Sequence, residues 1–215
     1  MSNPPRAESI FRAVSILATF VMLTGCAAIS AVSDATTPLD VYELRSPNDI
    51  QTSSRRPLAR DVIVEMPTTS GSLSTDRILI RPNRLQAQYL PDVRWSEPTP
   101  VMVQTLMLRT IEATGAVRYV GRQPLGVSGD YALVTEVVDF QAELAEENES
   151  ALVRLNLIVR LVREQDARII ASRSFSATAP ASSTQTQPLI ESFNAAADQV
   201  FSDFAIWVQN ALAGR

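Results

Sequence analysis

Side chains able to do covalent or metal chemistry are few in this sequence. Cys26 is the one thiol, there is no histidine, and each of the 19 basic residues is an arginine. Without histidine no Ser-His-Asp or Cys-His relay can be assembled, and no imidazole can ligate a metal. The missing lysines remove Schiff-base and Ser-Lys schemes as well. Carboxylates, hydroxyls and guanidinium groups remain. Glu143, Glu146, Glu147 and Glu149 cluster, but they lack the alternating Asp/Asn and the glycine of a calcium loop, so a solvated hairpin tip is expected. Gly126-Val127-Ser128-Gly129 misses the nucleophile-elbow spacing, which puts a glycine two residues after the serine, and reads as a turn. Hydrolysis would need two carboxylates converging in a pocket. Cys26 is the residue to be explained, because a lone cysteine forms no internal disulfide.

Its surroundings explain it. Residues 1–12 carry Arg6 and Arg12 against Glu8, and the apolar run Ala13 to Leu23, AVSILATFVML, follows. A membrane-crossing helix needs about twenty such residues and the core of a signal peptide about seven to fifteen, so this length favours a cleaved signal over a span. A short buried helix is the alternative. Leu23-Thr24-Gly25-Cys26 resembles the lipobox of bacterial lipoproteins. The resemblance implies that the Cys26 thiol takes a diacylglycerol, that cleavage follows before it, and that its new amine takes an acyl chain. Each buried methylene contributes about 0.8 kcal/mol, so two or three chains hold a protein on a membrane. No other cofactor and no metal are expected. Ala27, where aspartate would retain a Gram-negative lipoprotein at the inner membrane, permits passage to the outer membrane. Residues 27–37, AAISAVSDATT, are small and polar and read as a flexible tether. The expected organisation is a signal over 1–25, the lipidated cysteine and tether over 26–37, and one domain over 38–215.

A formal charge of −4 argues against a nucleic-acid binder. In the body, alternating segments at Val41–Leu44, Asp61–Met66 and Arg77–Arg81 predict strands, and Thr68–Asp76 has room for a turn of helix. Val103, Leu106, Met107, Thr110 and Ile111 recur at helical spacing, with Ser96 or Thr99 as N-cap and Gly115 as the stop. A short strand near Val117–Val120 follows. Three longer strands, Tyr131–Glu143, Ala151–Arg163 and Arg168–Ala177, are joined by short polar connectors, which predicts an antiparallel meander. Ile190, Phe193, Ala197, Val200, Phe204, Trp207 and Ala211 mark a closing helix. The fold class is α+β: a mixed, mainly antiparallel sheet with two amphipathic helices on one face.

Arg77, Arg81, Arg84 and Arg94 make one segment basic in an acidic protein, with Tyr89 and Trp95 interleaved. Arginine mixed with aromatics is enriched at protein interfaces, which makes these six residues a candidate partner surface. Lipid head groups are another partner for it. A charge-protected edge strand is the plainer reading, and core packing is the plainer reading of Trp95.

Asp76 to Gln104, DRILIRPNRLQAQYLPDVRWSEPTPVMVQ, resembles the ABC-type transport auxiliary lipoprotein family. The resemblance rests on Tyr42-Glu43-Leu44, the RILIR strand, Arg94-Trp95-Ser96-Glu97-Pro98, Asp139 to Glu143 and Phe193 to Ala196, in that order. It implies a periplasmic accessory protein, anchored to the outer membrane, of a mammalian-cell-entry (MCE) type system that moves phospholipids or other hydrophobic molecules. The implied partners are an MCE-domain protein with its ABC permease and ATPase, and a homo-oligomer is compatible with a ring-shaped partner. It implies no catalytic residue and no enzyme. The alternative is an assembly lipoprotein of another outer-membrane or cell-wall machine, of the lipopolysaccharide-export or peptidoglycan-synthase type.

Overall fold

The computed structural model describes residues 38–53, 56–145 and 149–214. The signal segment, the lipobox with Cys26 and the tether lie outside the described residues, as do Glu146 and Glu147.

Strand β9 (Ala151–Arg163) shows how the sequence makes the sheet. Val153, Leu155, Leu157, Val159 and Leu161 are buried, while Arg154, Asn156, Ile158 and Arg160 between them are half-buried. A two-residue period puts the first set on one face of a pleated strand. β8 (Tyr131–Leu144) and β10 (Arg168–Ala181) flank β9 antiparallel along their lengths, so the expected meander is present. A bulge between Val137 and Asp139 kinks β8.

The far edge of β8 is shared by three short strands, one after another and all parallel to it. β2 (Leu58–Val64) lies beside Tyr131–Leu133, β3 (Thr68–Thr69) beside Glu136 and Val137, and β4 (Leu79–Asn83) beside Ala142 and Glu143. β5 (Gln86–Tyr89) turns back on β4, and β7 (Val117–Gly121) extends the sheet parallel to β2. The antiparallel meander is thus joined to a substantial parallel half. β1 (Asp40–Tyr42) and β6 (Val93–Trp95) form a separate parallel pair. The segment Thr68–Asp76 is not helical. Its threonines are β-branched and pair with β8, where Thr69 Oγ1 donates to the Val137 carbonyl (2.9 Å), and turns follow.

Helix α1 (Thr99–Thr114) buries the predicted stripe from Val103 to Ile111 and packs on β2 and β7. Neither Ser96 nor Thr99 caps it. Pro98 holds the N-cap position, and the Thr99 N–H donates to the Thr75 carbonyl (3.0 Å), so a neighbouring backbone acceptor replaces a side-chain cap. Pro100, in the first turn, has no N–H to satisfy. Gly115 ends the helix at φ +58°, a left-handed conformation that only glycine adopts freely. Helix α2 (Thr186–Leu212) packs on β9 and β10 and against α1, so both helices cover one face of the sheet. Trp95, Phe140 and Phe193 meet at one end of the core; Phe175, Phe204 and Trp207 meet under α2.

Candidate partner interface

The basic segment is built around the β4–β5 hairpin. Asn83 makes the turn: its Oδ1 accepts from the N–H groups of Leu85 and Gln86, each at 3.0 Å, and its Nδ2 donates to Gln86 Oε1. An asparagine bonding the backbone two residues on is a standard way to close a turn. Arg84 and Leu85 are left at the tip, where Leu85 is 98% exposed. All of β5 is exposed.

Arg81 points to the face of the sheet away from the helices, in register with Glu143 on β8. Glu143 is gripped by Arg154, whose Nε and Nη2 donate to its two oxygens at 2.9 and 3.1 Å. Those hydrogen bonds are the main reason its carboxyl sits below the ordinary glutamate range. Partial burial opposes them, while the charges of Arg154 and Arg81 and a bond from Gln141 add to them. Further along, Asp139 accepts from Gln141 Nε2 (2.9 Å) and Asn156 Nδ2 (3.4 Å). Asn156 Oδ1 is buried without a partner among the described residues. Asp139, Gln141, Glu143 and Arg154 line an open groove of about 930 Å³ between the hairpin and the sheet, with Arg81 and Arg84 on its rim. No ion pair at contact distance engages Arg81 or Arg84 among the described residues.

The six candidate residues do not form one surface. Arg81 and Arg84 stand together on the groove. Arg77 lies over the Tyr89 ring at 5.5 Å, and Tyr89 donates from its hydroxyl to the Ser72 carbonyl (3.2 Å), so both are engaged within the chain and tie β5 to the turn at Ser72. Arg94 is held by Asp76 at 3.1 Å. Trp95 is removed from the surface altogether. Pairing of β6 with β1, and donation from its N–H to the Asp76 carbonyl (2.7 Å), turn the indole inward, where it is 1% exposed and meets Phe140 and Phe193 edge-on. The sequence missed Asp139, Gln141 and Arg154 as groove residues. Alternation along β8 and β9 carried the signal: with the hairpin between them closed, Glu143 and Arg154 come to neighbouring positions on one face.

A general acid at neutral pH needs a carboxyl with a raised pKa, whereas Glu143 is held ionised beside Asp139. The carboxyl pushed upward, by burial, is Asp198 on α2, where Asn194 donates to it. No group of three metal-ligating side chains occurs among the described residues. The segment Gly126–Gly129 is irregular chain with no backbone hydrogen bond closing a turn among the described residues; Gly129 lies against Ile63 and its N–H is taken by Glu164.

Residues 42–205 match the model of a family described as ABC-type transport auxiliary lipoprotein component. The chain is similar in structure to protein XCC0632 from Xanthomonas campestris, with a TM-score of 0.71 and 24% identity, over 80% of this chain and 96% of that one. An uncharacterized protein gives a TM-score of 0.58 at 14% identity, over 80% and 99%. At these identities the likeness is one of fold. No curated protein matches the chain.

Proposed function

The chain belongs to the ABC-type transport auxiliary lipoprotein family, and on that premise we propose that it is the outer-membrane-anchored accessory protein of an MCE-type system moving phospholipids or other hydrophobic molecules. The observation that carries this reading is a family match over residues 42–205, downstream of a lipobox-like Leu23–Cys26. No helix among the described residues is long and apolar enough to cross a membrane; the lipobox-like Leu23–Cys26 is what supports attachment through a lipid on Cys26. The protein acts by position rather than by catalysis. A lipid anchor on Cys26 would keep the body close to the membrane and raise its effective concentration for a partner that reaches across. Arg81, Arg84 and Leu85 offer a rim of cationic side chains and an apolar knob for that contact.

Fractionation of the native envelope tests the anchor. The unaltered protein is expected with the outer membrane, and Cys26→Ala is expected to lose both the acyl groups and that position while keeping a folded body. Recovery of the unaltered protein in the inner membrane alone, or of Cys26→Ala in the outer membrane, would overturn the assignment.

A further inference from the structure

Along the groove, on the sheet face turned away from the helices, opposite charges stand without partners. Asp139 reaches that face through the bulge in β8. Val137 is buried in the core, so strict alternation would send residue 139 inward too; the extra residue, Val138, turns the carboxylate outward, opposite Asn156. There it accepts from two neutral amides, Gln141 Nε2 (2.9 Å) and Asn156 Nδ2 (3.4 Å), and no guanidinium meets it at contact distance among the described residues. A carboxylate accepts about four hydrogen bonds, so Asp139 is held in place with its charge and half its capacity left over. Two to four residues further along β8, roughly 7 to 13 Å, the sign reverses. Arg81, in register with Glu143, has no carboxylate at contact distance among the described residues. Arg154, opposite Gln141, gives its Nε and Nη2 to Glu143 and keeps Nη1 without a partner among the described residues. A second depression of about 290 Å³ shares Asp139 and Arg154 with the groove and adds Ser176 and Thr178.

We propose that this groove binds a small zwitterion, an aminoalkyl phosphodiester, with the phosphate between Arg81 and Arg154 and the ammonium on Asp139. An anion alone would meet Asp139 and Glu143, and a cation alone would meet Arg81, so each is repelled at one end. A ligand that carries both signs a few bonds apart matches the order in which the groove presents them. Guanidinium groups suit phosphate oxygens because their N–H donors are planar and paired. An ammonium brings three donors and no acceptor, which suits a carboxylate with open capacity and the hydroxyls of Ser176 and Thr178 beside it. The head group of an aminoalkyl phospholipid and the free aminoalkyl phosphodiester present this same chemistry, and the open groove admits either. Arg84 and Leu85, out at the hairpin tip, stay clear for a protein partner. Only the source of such a ligand rests on the transport reading; the charges of the groove select its class.

Isothermal titration of the full-length lipoprotein in a nonionic detergent tests the site. The probes are glycerophosphoethanolamine and glycerophosphoglycerol, which keeps the phosphodiester and lacks the amine. The amine-bearing probe should bind at least about tenfold tighter, the effect of one charge-assisted hydrogen bond. Asp139→Asn should shrink that preference to within about threefold. It should leave the urea transition in place, because Asn156 Oδ1, buried without a partner among the described residues, can turn to accept from the new amide. Arg81→Gln should weaken both probes at least about tenfold and keep the preference between them. Dihexanoyl phosphatidylethanolamine separates the two sources: tighter binding than its free head group assigns the ligand to a lipid, and equal binding assigns it to the free zwitterion. Absence of a preference for the amine, a preference that survives Asp139→Asn, binding indifferent to Arg81→Gln, or no binding of either amine-bearing probe at millimolar concentration would overturn the proposal. The proteins that co-purify from native membranes report on the transport reading separately. Amine-selective binding without MCE subunits leaves the groove assignment standing, and MCE subunits without amine-selective binding remove it while the transport reading stands.

Discussion

Replacing Trp95 by alanine separates a structural role for this residue from a role in partner contact. The side chain is 1% exposed and makes two edge-on contacts, with Phe193 at 5.2 Å and Phe140 at 6.1 Å between ring centres. Truncating a buried tryptophan costs about 3–5 kcal/mol, and edge-on aromatic pairs contribute beyond their area, which favours the upper part of that range. A domain this size loses about 2 kcal/mol per molar urea, so the unfolding midpoint should fall by about 2 M. Trp207, packed on Phe175 and Phe204, remains as the fluorescent reporter. Domains of this kind have about 5–15 kcal/mol in reserve, so most Trp95→Ala molecules stay folded without denaturant. Partner capture by the folded fraction should then be unchanged. A midpoint within about 0.3 M of the unaltered protein, together with lost capture, would refute the placement of Trp95 in the core.

Arg84→Glu, at the exposed hairpin tip, should weaken partner capture, most at low salt, while the urea midpoint moves by no more than about 0.5 kcal/mol equivalent, as for exposed sites generally; unchanged capture would remove the hairpin tip from the interface. Glu143 has a lowered pKa in the folded protein, so its contribution is present above the ordinary glutamate pKa and lost as pH falls through the folded value. Both side chains of the Glu143–Arg154 pair are more than a third exposed, at 36% and 39%, so that contribution is under about 1 kcal/mol. Glu143→Gln should flatten the acid limb of a stability-against-pH profile, and a steeper limb would contradict the pairing. Asp198 has the opposite sign: burial raises its pKa, so its ionised form costs stability above the ordinary aspartate range. Asp198→Asn should leave stability unchanged or raise it at neutral pH, with the difference shrinking toward pH 3; a loss at neutral pH would show that the carboxylate is needed as acceptor for Asn194.

Much of this fold is legible wherever one element settles its own pattern. The buried row of β9 and the stripe from Val103 to Ile111 on α1 are each fixed by the period of a single segment. What escapes is non-local. β2, β3 and β4 lie in series along β8 because of register between distant segments, and nothing within Leu58–Val64 or Leu79–Asn83 announces parallel pairing. β5 is exposed along its whole length and shows no burial alternation; the Asn83 turn and β4 dictate it. The N-cap of α1 could not be read either, because its acceptor, the Thr75 carbonyl, comes from a loop 24 residues earlier. For the candidate site, arginine content pointed to the β4–β5 hairpin but could not tell Arg81 and Arg84, which line the groove, from Arg94, which Asp76 holds.

Service to a transport complex is tested by solubilising native membranes in mild detergent, purifying the protein with Cys26 intact, and identifying its companions by mass spectrometry. Recovery of an MCE-domain protein with its permease and ATPase is the predicted result. Recovery of a different envelope machine, or of the lipoprotein alone while those subunits are present in the lysate, would contradict it.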